Sequence, residues 1–249
     1  MKILAIIPAR YASTRFPGKP LTLIGGVTMV ERVYSRSREA FDNVYVATDD
    51  NRIYDIVTQN GGNAVMTSAD HPNGTSRVLE AMYKIEAITG EVCEMVINIQ
   101  GDEPFVEPLQ LKELVGCFDV PGTMIATLAK KITDNEELLN PNTPKVVFGT
   151  NGQALYFSRT PIPFLRDFPV EKWIEKCDFY KHIGLYGYTR EALIKINSLS
   201  PGILENAESL EQLRWLENGI KIVVGKTAFA SYSVDTPADV DFLRAKGLI

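Results

Sequence analysis

Continuous apolar runs and helical stripes take turns along the first 118 residues. Residues 3–7 are unbroken, rich in isoleucine and end at Pro8, the pattern of a strand buried on both faces. A polar stretch, in which Gly25-Gly26 reads as a turn, separates it from residues 28–41. There Met29, Val30, Val33 and Tyr34 form one helical stripe. Residues 44–47 predict a second strand. Asp50 reads as the N-cap of the helix that carries Ile53, Ile56 and Val57, which Gly61-Gly62 stops. A short strand over Ala64–Met66, a helix over 78–88 ended by Gly90, a strand over 95–99 and a helix over 107–118 complete the series. Such alternation predicts an α/β fold: a mostly parallel sheet flanked by helices. Right-handed crossovers then gather the strand-to-helix loops at one sheet edge, where ligands bind. The loops after Ile7, Ala47 and Ile99 are therefore expected to converge.

The second half is more mixed. Residues 125–129 predict a strand, and 146–148 and 154–157 flank Gly149-Thr150-Asn151-Gly152, a hairpin signal. Pro161, Pro163 and Pro169 mark an irregular connection. A strand over 182–188, helices over 193–196 and 209–218, a strand over 220–224 and a helix over 238–246 follow. No repeat or linker breaks the chain, so one domain with an inserted β-hairpin region is expected over residues 1–249.

Composition narrows the function. The 249 residues are 45% apolar and 23% charged with a net charge of −5, which argues against nucleic acid or an anionic membrane as the main partner. Cys93, Cys117 and Cys177 are scattered and only two histidines occur, so neither a zinc site nor a disulfide framework is expected. The first apolar run is too short for a signal peptide and no small-residue cleavage site follows it. A cytoplasmic protein is expected.

Charge is distributed unevenly. Residues 1–30 hold Lys2, Arg10, Arg15 and Lys19 and no acid, so this segment is +4 and the remainder −9. Three of these cations fall in the loop after the first strand. Arg10 and Arg15 offer planar forks for phosphate oxygens, Lys19 a mobile point charge, and Ser13, Thr14 and Gly18 further donors. A triphosphate suits that loop. Neither G-x-x-x-x-G-K-[ST] nor G-x-G-x-x-G is present, which excludes a P-loop NTPase and weakens a dinucleotide reading. Gln100-Gly101-Asp102-Glu103-Pro104 follows the fourth strand of the first half, where Asp102 is a natural Mg²⁺ ligand and Gln100 can contact a base or sugar. Asp235, before the last helix, is a candidate second carboxylate for the same ion, although Asp-Thr-Pro is also an ordinary helix start.

These stretches, with Ala47-Thr48-Asp49-Asp50, Ser158-Arg159-Thr160-Pro161-Ile162-Pro163, His182-Ile183-Gly184-Leu185-Tyr186, Glu208-Ser209-Leu210-Glu211-Gln212-Leu213-Arg214 and Val234-Asp235-Thr236-Pro237, occur in one order almost end to end. Together they resemble the 3-deoxy-manno-octulosonate (Kdo) cytidylyltransferases. The resemblance implies a Rossmann-like nucleotidyltransferase fold and the reaction of CTP with Kdo to CMP-Kdo and diphosphate. It further implies Mg²⁺ as cofactor, a homodimer, and a role in lipopolysaccharide synthesis. It makes 1–118 a nucleotide-binding half and 119–249 an acidic-sugar-binding and dimerisation half. It assigns Arg10, Arg15 and Lys19 to the triphosphate, Ser13 and Gln100 to cytosine and ribose, and Arg77 to the nucleotide. Asp102 and Asp235 fall to Mg²⁺, and Arg159, His182, Tyr186 and Gln212 to Kdo, Arg159 facing its carboxylate. The family commonly has an acidic residue where this chain has Ser76. The alternatives are a cytidylyltransferase for another acidic sugar, such as sialic acid, or a non-catalytic nucleotide-binding module.

Overall fold

The computed structural model describes residues 2–12, 16–230 and 232–249. Two compact units are present. The first comprises Met1–Lys112, Tyr188–Asn197 and Ser231–Ile249, the second Glu113–Gly187 and Ser198–Ala230.

In the first unit the strand Ile3–Ala9 lies between two parallel neighbours. Val44–Thr48 pairs with one side and Met95–Asn98 with the other, and Ala64–Met66 pairs in parallel outside Val44–Thr48. Leu4 to Ile7 are buried without interruption, as the apolar run requires. The helices Met29–Arg38, Asn51–Gln59 and Gly74–Thr89 pack against these strands. Asp50 caps the second of them, its Oδ1 accepting the Arg52 N–H at 2.9 Å. Gly90 closes the third with φ 70°, a left-handed conformation that glycine adopts without strain. This helix starts at Gly74, four residues before its apolar stripe, because Asn73 supplies the cap.

The chain runs outward from Ile3–Ala9 through Val44–Thr48 to Ala64–Met66, then returns to the opposite side of Ile3–Ala9 at Met95–Asn98. Strand order therefore reverses between Ile3–Ala9 and Met95–Asn98. At such a switch point the two following loops diverge and leave a crevice at the carboxyl ends of the strands. The loops that begin with Arg10 and with Gln100 flank it.

In the second unit Ile125–Lys131 pairs in parallel with Val223–Thr227. Lys145–Phe148 and Ala154–Ser158 form the expected antiparallel hairpin, turned by Gly149 and by Gly152 at φ 74°. Lys145–Phe148 also pairs antiparallel with Tyr180–Thr189. Trp173, Phe179, Ile132 and Leu138 form a local core. Two expectations need correction here. The strand over 220–224 begins instead at Val223, with Ile220 and Ile222 buried ahead of it. The helix over 209–218 is shorter, Gln212–Glu217; Ser209, which takes the left-handed φ of 50°, parts it from a separate short helix, Ile203–Glu208.

Candidate active site

The crevice of the first unit is a cleft of about 330 Å³ lined by Arg10, Lys19, His71, Asn73, Arg77, Gln100, Asp102 and Asp235, among others. The converging-loop expectation holds for the loops after Ala9 and Asn98. Arg10 is exposed at its rim. Gly18, with φ 73°, donates its N–H to the Tyr11 carbonyl at 3.0 Å and starts the short turn Lys19–Leu21, which sets Lys19 facing the carboxylates. Ser13 and Arg15 lie outside the described residues.

Asp102 and Asp235 are 133 positions apart, and backbone geometry brings them together. The Val234 N–H donates to the Asp102 carbonyl at 2.9 Å, joining the two loops next to the carboxylates. Asp239 then caps the last helix, accepting from the Asp235 and Thr236 N–H groups at 2.9 and 2.7 Å. On the other loop Gly101 lies against the end of the first strand. A Cβ there would sit 2.8 Å from the Pro8 carbonyl oxygen, so only glycine permits this approach. Gly101→Ala is expected to push the loop away, destabilising the protein by about 2 kcal/mol and lowering kcat roughly tenfold to a hundredfold through displacement of Asp102. Thermal denaturation and steady-state kinetics check this; unchanged values in both would refute it.

Lys19 Nζ donates to Asp102 Oδ2 at 2.7 Å and to Asp235 Oδ1 at 3.2 Å. One ammonium thus stands at the point where two carboxylates converge, and a hard divalent ion suits that point and those oxygens. Among the described residues no cluster of three or more His, Cys, Asp or Glu exists that could hold a metal. Two protein carboxylates are few for Ca²⁺ and sufficient for Mg²⁺, which keeps waters and takes phosphate oxygens. The donor set therefore fits Mg²⁺.

Arg77 lines the same cleft, but its guanidinium is buried and bonded to Thr67 Oγ1 at 2.6 Å and Asp49 Oδ2 at 3.1 Å. Asp49 was legible only as a neighbour of the cap Asp50; its hold on Arg77 joins residues 28 positions apart. Ser76 stands at the third position of the helix Gly74–Thr89. Its N–H donates to Asn73 Oδ1 at 2.9 Å and its Oγ to the Asn73 carbonyl at 3.1 Å. An acid at that position is the reciprocal half of a capping box. Ser76 thus leaves the Asn73 cap in place and puts no negative charge beside the cleft. His71, whose Nε2 pairs with Glu80 Oε2, was not singled out from the sequence.

The second unit holds the other candidates. The Arg159 guanidinium donates to the carbonyls of Glu208 at 2.7 Å, Ser209 at 3.2 Å and Pro141 at 3.0 Å. In an unbroken helix the Glu208 and Ser209 carbonyls would accept from N–H groups four residues on. The break at Ser209 frees them, and Arg159 takes them up. Glu208 itself accepts from Ser158 Oγ at 2.7 Å and from the Arg159 N–H at 2.9 Å. Gln212 opens the next helix and is buried, with no partner for its Nε2 among the described residues. Tyr186 packs edge-on against Trp215, centroids 5.1 Å apart, and meets the His182 ring at a tilt, 5.3 Å away.

The His182 ring also meets Phe157 at 5.0 Å, and its Nε2 lies 3.1 Å from Thr127 Oγ1. Burial pushes its pKa down to about 3, so the imidazole is neutral at working pH. Its folded value lies below the unfolded one. The stability it contributes is therefore full above pH 6.5 and declines as pH falls from there towards 3. Wild type is expected to lose stability on acidification more steeply than His182→Phe, followed by denaturant unfolding; parallel declines would contradict this. Cys93, Cys117 and Cys177 are all free thiols, and burial raises Cys93 to about 12, which makes it inert.

Comparison with known proteins identifies the family. A family model described as cytidylyltransferase matches residues 4–222. The 3-deoxy-manno-octulosonate cytidylyltransferase of Bacteroides thetaiotaomicron is 53% identical over 243 residues, covering 96% of each chain. The protein of that name from Porphyromonas gingivalis is 45% identical, covering 99% of this chain and 98% of its own. Among solved structures, CMP:2-keto-3-deoxy-manno-octonic acid synthetase complexed with CTP superposes with a TM-score of 0.89 at 42% identity, covering 100% of this chain and 99% of that one. A 4-diphosphocytidyl-2C-methyl-D-erythritol synthase from Anaerococcus prevotii, 15% identical with a TM-score of 0.64, shares the fold. The mixed sheet flanked by helices is thus a Rossmann-like nucleotidyltransferase fold, and the chain belongs to the cytidylyltransferase family, as one of the 3-deoxy-manno-octulosonate cytidylyltransferases.

Proposed function

We propose that this enzyme transfers the cytidylyl group of CTP to the anomeric hydroxyl of Kdo and releases diphosphate. The observation that carries the reading is the meeting of Lys19, Asp102 and Asp235 in a cleft whose rim bears Arg10. The hydroxyl oxygen bonds to the α-phosphorus as the bond to the β-phosphate oxygen breaks. The hydroxyl proton leaves to solvent and the bond electrons leave with diphosphate. Such transfers rest on positioning and charge neutralisation rather than a covalent protein intermediate. Arg10 and Lys19 offset the triphosphate charge, and Gln100 contacts the base or ribose. Asp102 and Asp235 would hold Mg²⁺, which when bound polarises phosphate oxygens and lowers the pKa of a coordinated hydroxyl. Arg159 faces the sugar carboxylate, while neutral His182, Tyr186 and Gln212 bind sugar hydroxyls.

The same reading makes the enzyme a cytoplasmic homodimer serving lipopolysaccharide synthesis. No helix among the described residues is long and apolar enough to cross a membrane. Diphosphate release from CTP and Mg²⁺ with Kdo or with sialic acid tests the activity. Release with Kdo is expected; none with Kdo, or a preference for sialic acid, overturns it.

A further inference from the structure

Arg52 has no part in the proposed reaction, yet it touches the loop that carries Arg10 and Lys19. It stands in the first turn of the helix Asn51–Gln59 and holds its guanidinium over the Tyr11 ring, 3.3 Å from the centroid. At that separation only a parallel arrangement keeps the guanidinium nitrogens clear of the ring, so the two planes lie face to face. Asp50 fixes the guanidinium in turn. Its Oδ1 accepts from Nε at 2.9 Å and its Oδ2 from Nη2 at 2.6 Å, a bidentate pair that sets the plane. The bonds from Arg52 hold the Asp50 carboxyl below its usual range. Asp50 is also the cap of the helix, through the Arg52 N–H at 2.9 Å.

Tyr11 stands where the loop closes. Its carbonyl accepts from the Gly18 N–H at 3.0 Å. Its ring lies against the same glycine: a Cβ on Gly18 would come within 3.2 Å of Tyr11 Oη and 3.3 Å of two ring carbons. Arg10 precedes Tyr11 in the chain and Lys19 follows Gly18. The two cations thus flank a loop whose ends meet at one tyrosine, and the stack fastens that tyrosine to a helix packed on the sheet. We propose that Arg52 is a positioning residue for the triphosphate, its stack on Tyr11 holding the loop closed so that Arg10 and Lys19 are in place before CTP arrives. This rests on the cytidylyl-transfer reading. A loop ordered beforehand spares the ligand the entropy of ordering it, so the stack acts on CTP affinity and not on the chemical step.

The test measures kcat and KM with CTP, Kdo and Mg²⁺, and Kd for CTP by calorimetry, in wild type, Arg52→Ala, Tyr11→Leu, Tyr11→Phe and the double variant Arg52→Ala/Tyr11→Leu. Arg52→Ala and Tyr11→Leu are each expected to raise KM and Kd for CTP by about three- to tenfold, with kcat and KM for Kdo within about twofold of wild type. Tyr11→Phe, which keeps the ring, stays within about twofold. The double variant is no worse than the worse single one, because both substitutions remove one contact. The loss in Arg52→Ala persists at about 0.5 M NaCl, which screens a distant charge but not a stack. If Arg52 acts only as a distant charge, Tyr11→Leu has no effect and the loss vanishes in salt. If it only stabilises its helix, the thermal midpoint falls while KM and Kd for CTP stay as in wild type. Either result overturns the proposal. If Tyr11→Leu does not fold, a wild-type Kd in Arg52→Ala, or a loss that vanishes in salt, overturns it. A wild type that binds CTP but is inert towards CTP and Kdo sinks the cytidylyl-transfer reading instead, and the Kd ratios still decide the stack.

Discussion

Asp102→Asn will abolish turnover while CTP still binds. The substitution keeps size and an oxygen for Lys19 but removes the charge that, with Asp235, makes the site suitable for a divalent ion. Interactions aimed at developing charge are worth most at this step, so kcat should fall by about 10³-fold or more. Contacts from Arg10 and the rest of the cleft persist, so CTP affinity measured by calorimetry should change by less than about tenfold. Asp235→Asn should behave alike, and the double variant should be little worse than either, because groups that act as a unit are not additive. A single variant with near-normal diphosphate release would remove both residues from the metal assignment.

Lys19→Met separates two roles that one ammonium plays. Methionine preserves the packing of the stem and deletes the charge. Without it the triphosphate loses a counter-charge, and kcat/KM for CTP should fall by about 10²- to 10³-fold. The same deletion leaves Asp102 and Asp235 as adjacent carboxylates with no cation between them. In the absence of nucleotide the variant should therefore bind Mn²⁺ or Mg²⁺ more tightly than wild type by calorimetry. The ammonium and a divalent ion compete for one point, as the distances of 2.7 and 3.2 Å imply. Unchanged kcat/KM for CTP would refute the phosphate role. Unchanged ion affinity would refute the competition.

Much of the first unit was legible because its signals are local. The run that ends at Pro8, the cap Asp50 and the stop Gly90 each act through neighbours a few residues away, and each appears where the pattern put it. Lys19, Asp102 and Asp235 could be nominated from their loops, but the Val234 bond that joins two of them is a tertiary fact. What stayed hidden is of that kind. Arg77 carries no mark in its own helix of its tie to Asp49, nor His71 of its tie to Glu80. Ser209 misled: Leu210, Leu213 and Leu216 set a helical stripe directly after it, yet it stands outside the helix at a left-handed φ, its carbonyl taken up by Arg159, fifty residues earlier. Periodicity records which faces are apolar and is silent on where a side chain elsewhere claims the carbonyls.

That claim has an effect on how an anion would be received. Arg159 is anchored by neutral main-chain oxygens and forms no ion pair with a carboxylate among the described residues, so its full positive charge is still available. Its side chain is immobilised when the polypeptide folds, not when a ligand arrives. An incoming acid thus meets a cation that has already lost its rotational freedom and has no rival anion to shed, and both features favour rapid capture.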